Sequence, residues 1–258
     1  MPVARWGELT REELRRRLPG TVVLLPTAAT EQHGPHLATG HDTVIVEEIA
    51  RRAAEVVGEV ATIVLAPTLP FGSSDHHLPF GGTLSLRTGT YLLVLEDLLR
   101  SMIAAGARRV LVLNGHGGNH ELNEVAVRDV AREHAGASGV VLAAGSWWTI
   151  AAEALAADAA FAGVRVPGHA GQLETAMMLA LDPSRVRAER PRREVDPSLG
   201  TSIPGVRVEG EVPWTRFDGF TDSPAAANAE LGARALELAV EAVAEALLRL
   251  AGDAPSGT

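Results

Sequence analysis

Residues 30–42 read TEQHGPHLATGHD, so one Glu, three His and one Asp crowd a turn interrupted by Gly and Pro. Polarity alone is satisfied by Ser, Asn or Lys; imidazole combined with carboxylate points to cation binding or proton transfer. Glu31 and His33 stand two residues apart, which places both side chains on one face of an extended backbone. His36 and His41 follow, and Asp42 precedes the apolar run TVIVEEI, where it suits either a helix N-cap or a carboxylate shared by two cations. Three later stretches have the same flavour: FGSSDHHLPFGGT (71–83) with His76 and His77, NGHGGN (114–119) with His116, and GHAGQLET (168–175) with His169 and Glu174.

The composition narrows what these groups can do. The 258 residues contain no Cys, which excludes thiolate nucleophiles, cysteine-type zinc sites and disulfides. All 23 basic residues are Arg, so Schiff-base chemistry and a P-loop lysine are also absent. A net charge of −9 opposes a nucleic-acid-binding surface, which needs a basic face. With 46% hydrophobic residues, no run long enough to span a membrane and no apolar leader at its start, the chain reads as a cytoplasmic protein with a sizeable core.

The elements that must position these residues follow from periodicity. TVVLLPT (21–27), ATIVLAPTLP (61–70), RRVLVLNG (108–115) and GVVLAAGS (139–146) read as buried strands. Segments 42–57, 89–106, 119–136 and 171–181 have helical spacing, the second and third ending at Gly106 and Gly136. The alternation predicts an α/β three-layer sandwich with a mostly parallel central sheet flanked by helices, one domain over 1–258. Residues 183–222 lack a period and read as an irregular excursion, and 223–252 as a C-terminal helix entered through Ser223-Pro224. Ligands of open parallel sheets sit beyond the carboxyl ends of the strands. Eight of the nine His fall on loops expected at that rim; only His134 lies near a helix end.

Together, TEQHGPHL with HD nine residues after its first His, LPFGSSDHHLPFGGTLSL, VLVLNGHGGN and GHAGQLETAMML resemble the creatininase family of amidohydrolases. These motifs keep the family's order and spacing over most of residues 20–182. The resemblance implies a parallel-sheet α/β domain, two divalent cations (Zn²⁺ and/or Mn²⁺, with Fe²⁺ admissible), hydrolysis of an amide C–N bond and a homo-oligomer, often a hexamer. By position, Glu31 would bind the first cation, His33 the second, Asp42 would bridge them, His116 would complete the first set, and His169 would assist proton transfer. Creatininase itself has Tyr and a cation-binding Glu where this chain has Gly117 and Gly118. Glu174 is the candidate replacement ligand, acting beside His169 in catalysis. The family's Trp and Asp before the HAGQLET histidine are here Arg165 and Val166, so creatinine is not the expected substrate.

The expected reaction is attack of cation-activated water on a small amide (a cyclic amide, a formamide or similar), with His169 protonating the leaving nitrogen. Ser74, the amides of Gly117 and Gly118, and Arg165 are the candidate substrate contacts. A peptidase trimming the C-terminus of a small peptide precursor is the alternative within the family. Outside it stand a metal-free nucleotide- or sugar-binding module using the 114–119 turn, and an esterase using Ser73 or Ser74, disfavoured by the missing G-x-S-x-G elbow.

Overall fold

The computed structural model describes residues 3–58, 60–134, 139–191 and 217–252. Five strands form one sheet: β1 (Ala4–Arg5), β2 (Val22–Thr27), β3 (Ile63–Leu65), β4 (Arg109–Asn114) and β5 (Val141–Ser146). Among the described residues every strand pairing is parallel, in the order β1-β3-β2-β4-β5. Parallel neighbours need crossovers over the sheet faces. The helices are α1 (Arg11–Arg17), α2 (His41–Val57), α3 (Thr88–Ala104), α4 (His120–Glu133), α5 (Trp147–Ile150), α6 (Ala152–Ala157), α7 (Gln172–Leu181) and α8 (Ala229–Gly252).

Strands β2 and β4 are apolar on both sides, as strands covered on both faces must be. Val22, Leu24, Leu111 and Leu113 pack in one cluster with Ile45 and Ile49 of α2, Met177 of α7 and Val240 of α8. Their alternates Val23, Leu25, Val110 and Val112 pack in the other with Tyr91 and Leu95 of α3 and Val127 of α4. The three layers expected from the sequence are present.

From β2 the chain moves to β3 on one side, then crosses to β4 on the other. The order therefore reverses at β2 and β4, which opens a crevice beyond their carboxyl ends. Thr27 lies opposite Asn114, and Asn114 opposite Ser146, so three strands finish level. Their ends are tied together: Thr27 Oγ1 donates to Asn114 Oδ1 (3.2 Å), Asn114 Nδ2 donates to Ser146 Oγ (2.8 Å), and Asn123 Nδ2 of α4 donates to Thr27 Oγ1 (2.9 Å).

Some boundaries differ from expectation. Within 61–70 only Ile63–Leu65 is strand, because Pro67 has no amide for the ladder; pairing resumes as a bridge between Thr27 and Leu69. The helix expected over 223–252 starts at Ala229: Pro224–Ala226 forms a short turn, and Asn228 Oδ1 accepts from Leu231 N (2.8 Å) as a cap. The strand Ala4–Arg5 and helices α1, α5 and α6 were not foreseen; α1 carries a capping box between Thr10 and Glu13. Most of the irregular stretch 183–222 lies outside the described residues, as does Gly136, but its last residues return to the crevice. No helix among the described residues is long and apolar enough to cross a membrane.

Helices α7 and α8 approach to backbone contact at Gly232, where a Cβ would run into the Ala176 carbonyl. Gly232→Ala is expected to destabilise the fold by about 1–3 kcal/mol through overpacking, lowering the thermal midpoint by several degrees. Gly252→Ala, at a position with open space around it, serves as control. Equal melting curves for both variants would contradict this packing.

Candidate metal centre

Each element delivers its groups to the same crevice. Glu31 and His33 follow β2, His116 follows β4, Asp42 is the second residue of α2, and Glu174 the third of α7. His169 precedes α7, and His77 arrives in the loop after β3. All seven are between 1% and 8% exposed.

Asp42 stands at the centre. Its Oδ1 lies 3.0 Å from His33 Nε2, and its Oδ2 lies 3.3 Å from His116 Nδ1. On the His116 side, Glu31 Oε1 is 3.2 Å from His116 Nδ1. On the His33 side, Glu174 Oε2 is 3.8 Å from His33 Nε2. Helix α2 is capped by Gly40 without a side-chain bond, so the Asp42 carboxylate is not an N-cap; it sits in the first helical turn, facing the crevice. Glu174 occupies the corresponding turn of α7, and its Oε2 accepts from Ala170 N (2.5 Å). Two positive helix ends thus support two buried carboxylates.

The donor set fits cations. Glu31, Asp42 and His116 form one group whose ligand atoms lie within 4.8 Å of one another, and His33, His41, Asp42 and Glu174 form another, with Asp42 common to both. Glu31 Oε2, His33 Nε2 and Asp42 Oδ2 are buried without a hydrogen-bond partner. Buried, unsatisfied carboxylate and imidazole atoms are costly unless a cation meets them.

The proton balance is equally unusual. Burial disfavours the imidazolium of His33, yet Asp42 and then Glu174 and Glu31 outweigh it and raise its pKa to about 10. Burial likewise opposes charging of His116, but Glu31 and Asp42 hold its pKa well above the ordinary value. Glu31 and Asp42 are buried too, and the neighbouring imidazoliums nevertheless keep both ionised below the usual carboxylate range. Burial dominates at Glu174 and lifts it to about 8. It also holds His77 down to about 3, and His169 well below its ordinary value with help from the charge on His33. Burial and the charge on His33 thus favour the neutral form of His169.

The surroundings hold these groups in place. His169 Nε2 lies 3.0 Å from both Gln32 O and Gln32 Nε2, and Nδ1 lies 3.6 Å from Glu31 Oε1; with the proton on Nε2 it donates to Gln32 O and Nδ1 is the basic atom. Backbone bonds to Thr221 anchor the His169 segment: His169 N donates to Thr221 Oγ1 (2.9 Å) and Thr221 N to His169 O (2.9 Å). Gln32 Nε2 donates to His77 Nδ1 (2.9 Å), which turns His77 Nε2 toward Glu31. His77, Gln32 and Thr221 were missed as site residues; only the clustering of His on rim loops signalled His77.

The expected substrate contacts divide. Ser74 is fully buried behind His116, its Oγ 3.2 Å from His116 Nε2, so it positions that ring and does not meet substrate. Ser74, His116 and Glu31 mimic a hydrolytic triad, but the ring nitrogen facing Ser74 also donates to Ser73 O (3.1 Å) and is no free base. Gly117 opens onto empty space, whereas a Cβ at Gly118 would strike Ser73 O and the His116 ring. Arg165 is half-buried and makes no ion pair with another described residue. In the 114–119 turn Gly115 N is spent on Thr27 O (2.8 Å), His116 N on Asn114 Oδ1 (3.1 Å) and Asn119 N on His116 O (3.2 Å), which leaves fewer amides for the phosphate-binding alternative.

A parallel α/β sheet with carboxylates and imidazoles gathered at its switch point makes a candidate metal centre. The family model described as creatinine amidohydrolase matches residues 7–247, and the chain belongs to the creatininase family. It is 33% identical over 241 residues to a mycofactocin precursor peptide peptidase of Mycobacterium tuberculosis (strain ATCC 25618 / H37Rv), covering 90% of this chain and 86% of that one. To a creatinine amidohydrolase of Pseudomonas putida it is 29% identical over 258 residues, covering 93% and 95%. A solved structure of creatininase with Mn superposes with a TM-score of 0.80 at 27% identity, over 96% and 98% of the two chains.

A pH dependence follows. His33, raised to about 10, and Glu174, raised to about 8, hold protons at neutral pH, and a cation can bind only their free lone pairs. Cation binding should therefore expel protons, with affinity climbing as the pH rises through about 8 and levelling off only towards about 10. Calorimetric titration of Zn²⁺ or Mn²⁺ in buffers of different ionisation enthalpy measures this; a buffer-independent heat would refute it.

Proposed function

We propose that the protein is a metal-dependent amidohydrolase that cleaves a C–N bond, with Glu31, Asp42 and His116 holding one divalent cation and His33, Asp42 and Glu174 a second. The observation that carries this reading is the Asp42 carboxylate, buried with one oxygen toward His33 and the other toward His116. Bound there, cations of the Zn²⁺, Mn²⁺ or Fe²⁺ type would acidify a water and polarise the amide carbonyl.

The chain's own residues do the rest. Ser73 O and Ser74 Oγ fix the His116 ring so that Nδ1 faces Glu31 and Asp42. Neutral His169 accepts a proton from the attacking water at Nδ1 and delivers it to the leaving nitrogen, its Nε2–H anchored on Gln32 O throughout. Walls from α2, α7 and the strand-end loops keep bulk water from these groups.

The substrate is an amide other than creatinine. Open space at Gly117 lets a longer substrate approach, and a cleft of roughly 500 Å³ lined by Ser73, Asp75, His76, Thr88, Gly118, Glu121 and Leu122 runs beside it. These features, with the likeness to a peptide peptidase, favour a peptide C-terminus as a second reading beside cyclic amides and formamides. Exposed Phe71, Leu78 and Leu84 on the loop beside the crevice fit a homo-oligomer, which light scattering would count.

His116→Ala should lose metal and activity together, by elemental analysis and by turnover of lactams, formamides and short peptides. His169→Asn should keep its metal and lose about 10²–10⁴-fold in kcat. A chelator should abolish activity and a serine-directed phosphonate leave it intact. Metal and turnover retained by His116→Ala would overturn the assignment.

A further inference from the structure

We propose that His41 binds the second cation directly, as its fourth protein ligand beside His33, Asp42 and Glu174. This rests on the two-cation reading above and extends it to a residue given no role so far. The position matters because the His33 side gains no donor at Gly118, where a side chain would collide with Ser73 O and the His116 ring. Three protein donors remain there, enough for an ion that also keeps a water, and a fourth protein donor would make that ion five-coordinate with its water still bound.

His41 meets the requirement on geometry. It is the first residue of α2, directly before Asp42, so helix formation itself delivers it to the crevice. Its ring centroid lies 4.7 Å from that of His33. One of its ring nitrogens falls in a group with donor atoms of His33, Asp42 and Glu174, all within 4.8 Å of one another. The residue is 2% exposed, and its Nδ1 is buried without a hydrogen-bond partner. Leaving such an atom unsatisfied is costly, and a cation would offset that cost. His36, also on this turn, has an unpartnered buried Nδ1 as well, but its Nε2 is bonded to Thr175 Oγ1 (2.9 Å) and it joins no donor group among the described residues. Two imidazoles and two carboxylates make a set suited to Zn²⁺, Co²⁺ or Fe²⁺ more than to an all-oxygen ion such as Mg²⁺.

The test titrates metal-free protein with Co²⁺, whose visible absorption reports coordination number and ligand type, alongside elemental analysis after gel filtration. Wild-type protein is expected to take up two equivalents. His41→Ala should keep the first and bind the second at least about a hundredfold more weakly, since losing even an outer partner costs ~10–100-fold. The absorption of the second equivalent should change as well. His41→Asn keeps polarity and size at the helix start and guards against loss of fold, which circular dichroism monitors. Two equivalents bound by either folded variant with wild-type affinity and spectrum would overturn the proposal, as would a wild-type protein that binds only one. Wild-type protein that binds none overturns the two-cation function itself, a separate result.

Discussion

The structure turns on one carboxylate. Asp42 is buried at the carboxyl edge of the sheet between two imidazoles, with Glu31 and Glu174 close by. Removing an ion from water costs several kcal/mol even after relaxation, and three carboxylates in one crevice add mutual repulsion. Without cations, the cost is met by charging His33 and His116 and by keeping Glu174 protonated. Such an arrangement is poorly suited to stability alone. It is well suited to divalent cations, which neutralise the carboxylates and displace the protons.

The scaffold's contribution is to hold those charges still. Thr27, Asn114 and Ser146 end three strands at one level, and the side-chain bonds among them keep the following loops in register. Two helices point their amino ends at the centre, each with a carboxylate in its first turn. Glu174 is held in turn by α7, whose backbone is braced by α8 at Gly232. A displacement of α8 would therefore reach the crevice through α7, although α8 supplies no ligand.

Kinship and chemistry part company at the 114–119 loop. The fold is that of creatininase, yet Gly118 lies so close to Ser73 O and the His116 ring that a family-type ligand cannot be grafted there without moving the loop. Next to it, Gly117 leaves room where the family's aromatic would stand. Shared architecture thus places the donor residues at one crevice, while two glycines make the 114–119 loop close-packed at Gly118 and open at Gly117.

Much of this was legible in the chain itself. Absence of Cys and Lys narrowed the chemistry towards His, Asp and Glu, and apolar periodicity located four of the five strands and the main helices, because buried parallel strands and amphipathic helices leave patterns a few residues long. The rim position of Glu31, His33, Asp42, His116, His169 and Glu174 followed from the rule that ligands gather past strand ends. The ends of β3 and α8 were not legible, since a proline and an Asn cap decide them against the wider pattern. Nor were the positioning role of Ser74, the preference of His169 for its neutral form, the inclusion of His77 or the lack of room at Gly118. Each of these depends on atoms from segments tens of residues apart, whose separation exists only after the sheet has assembled.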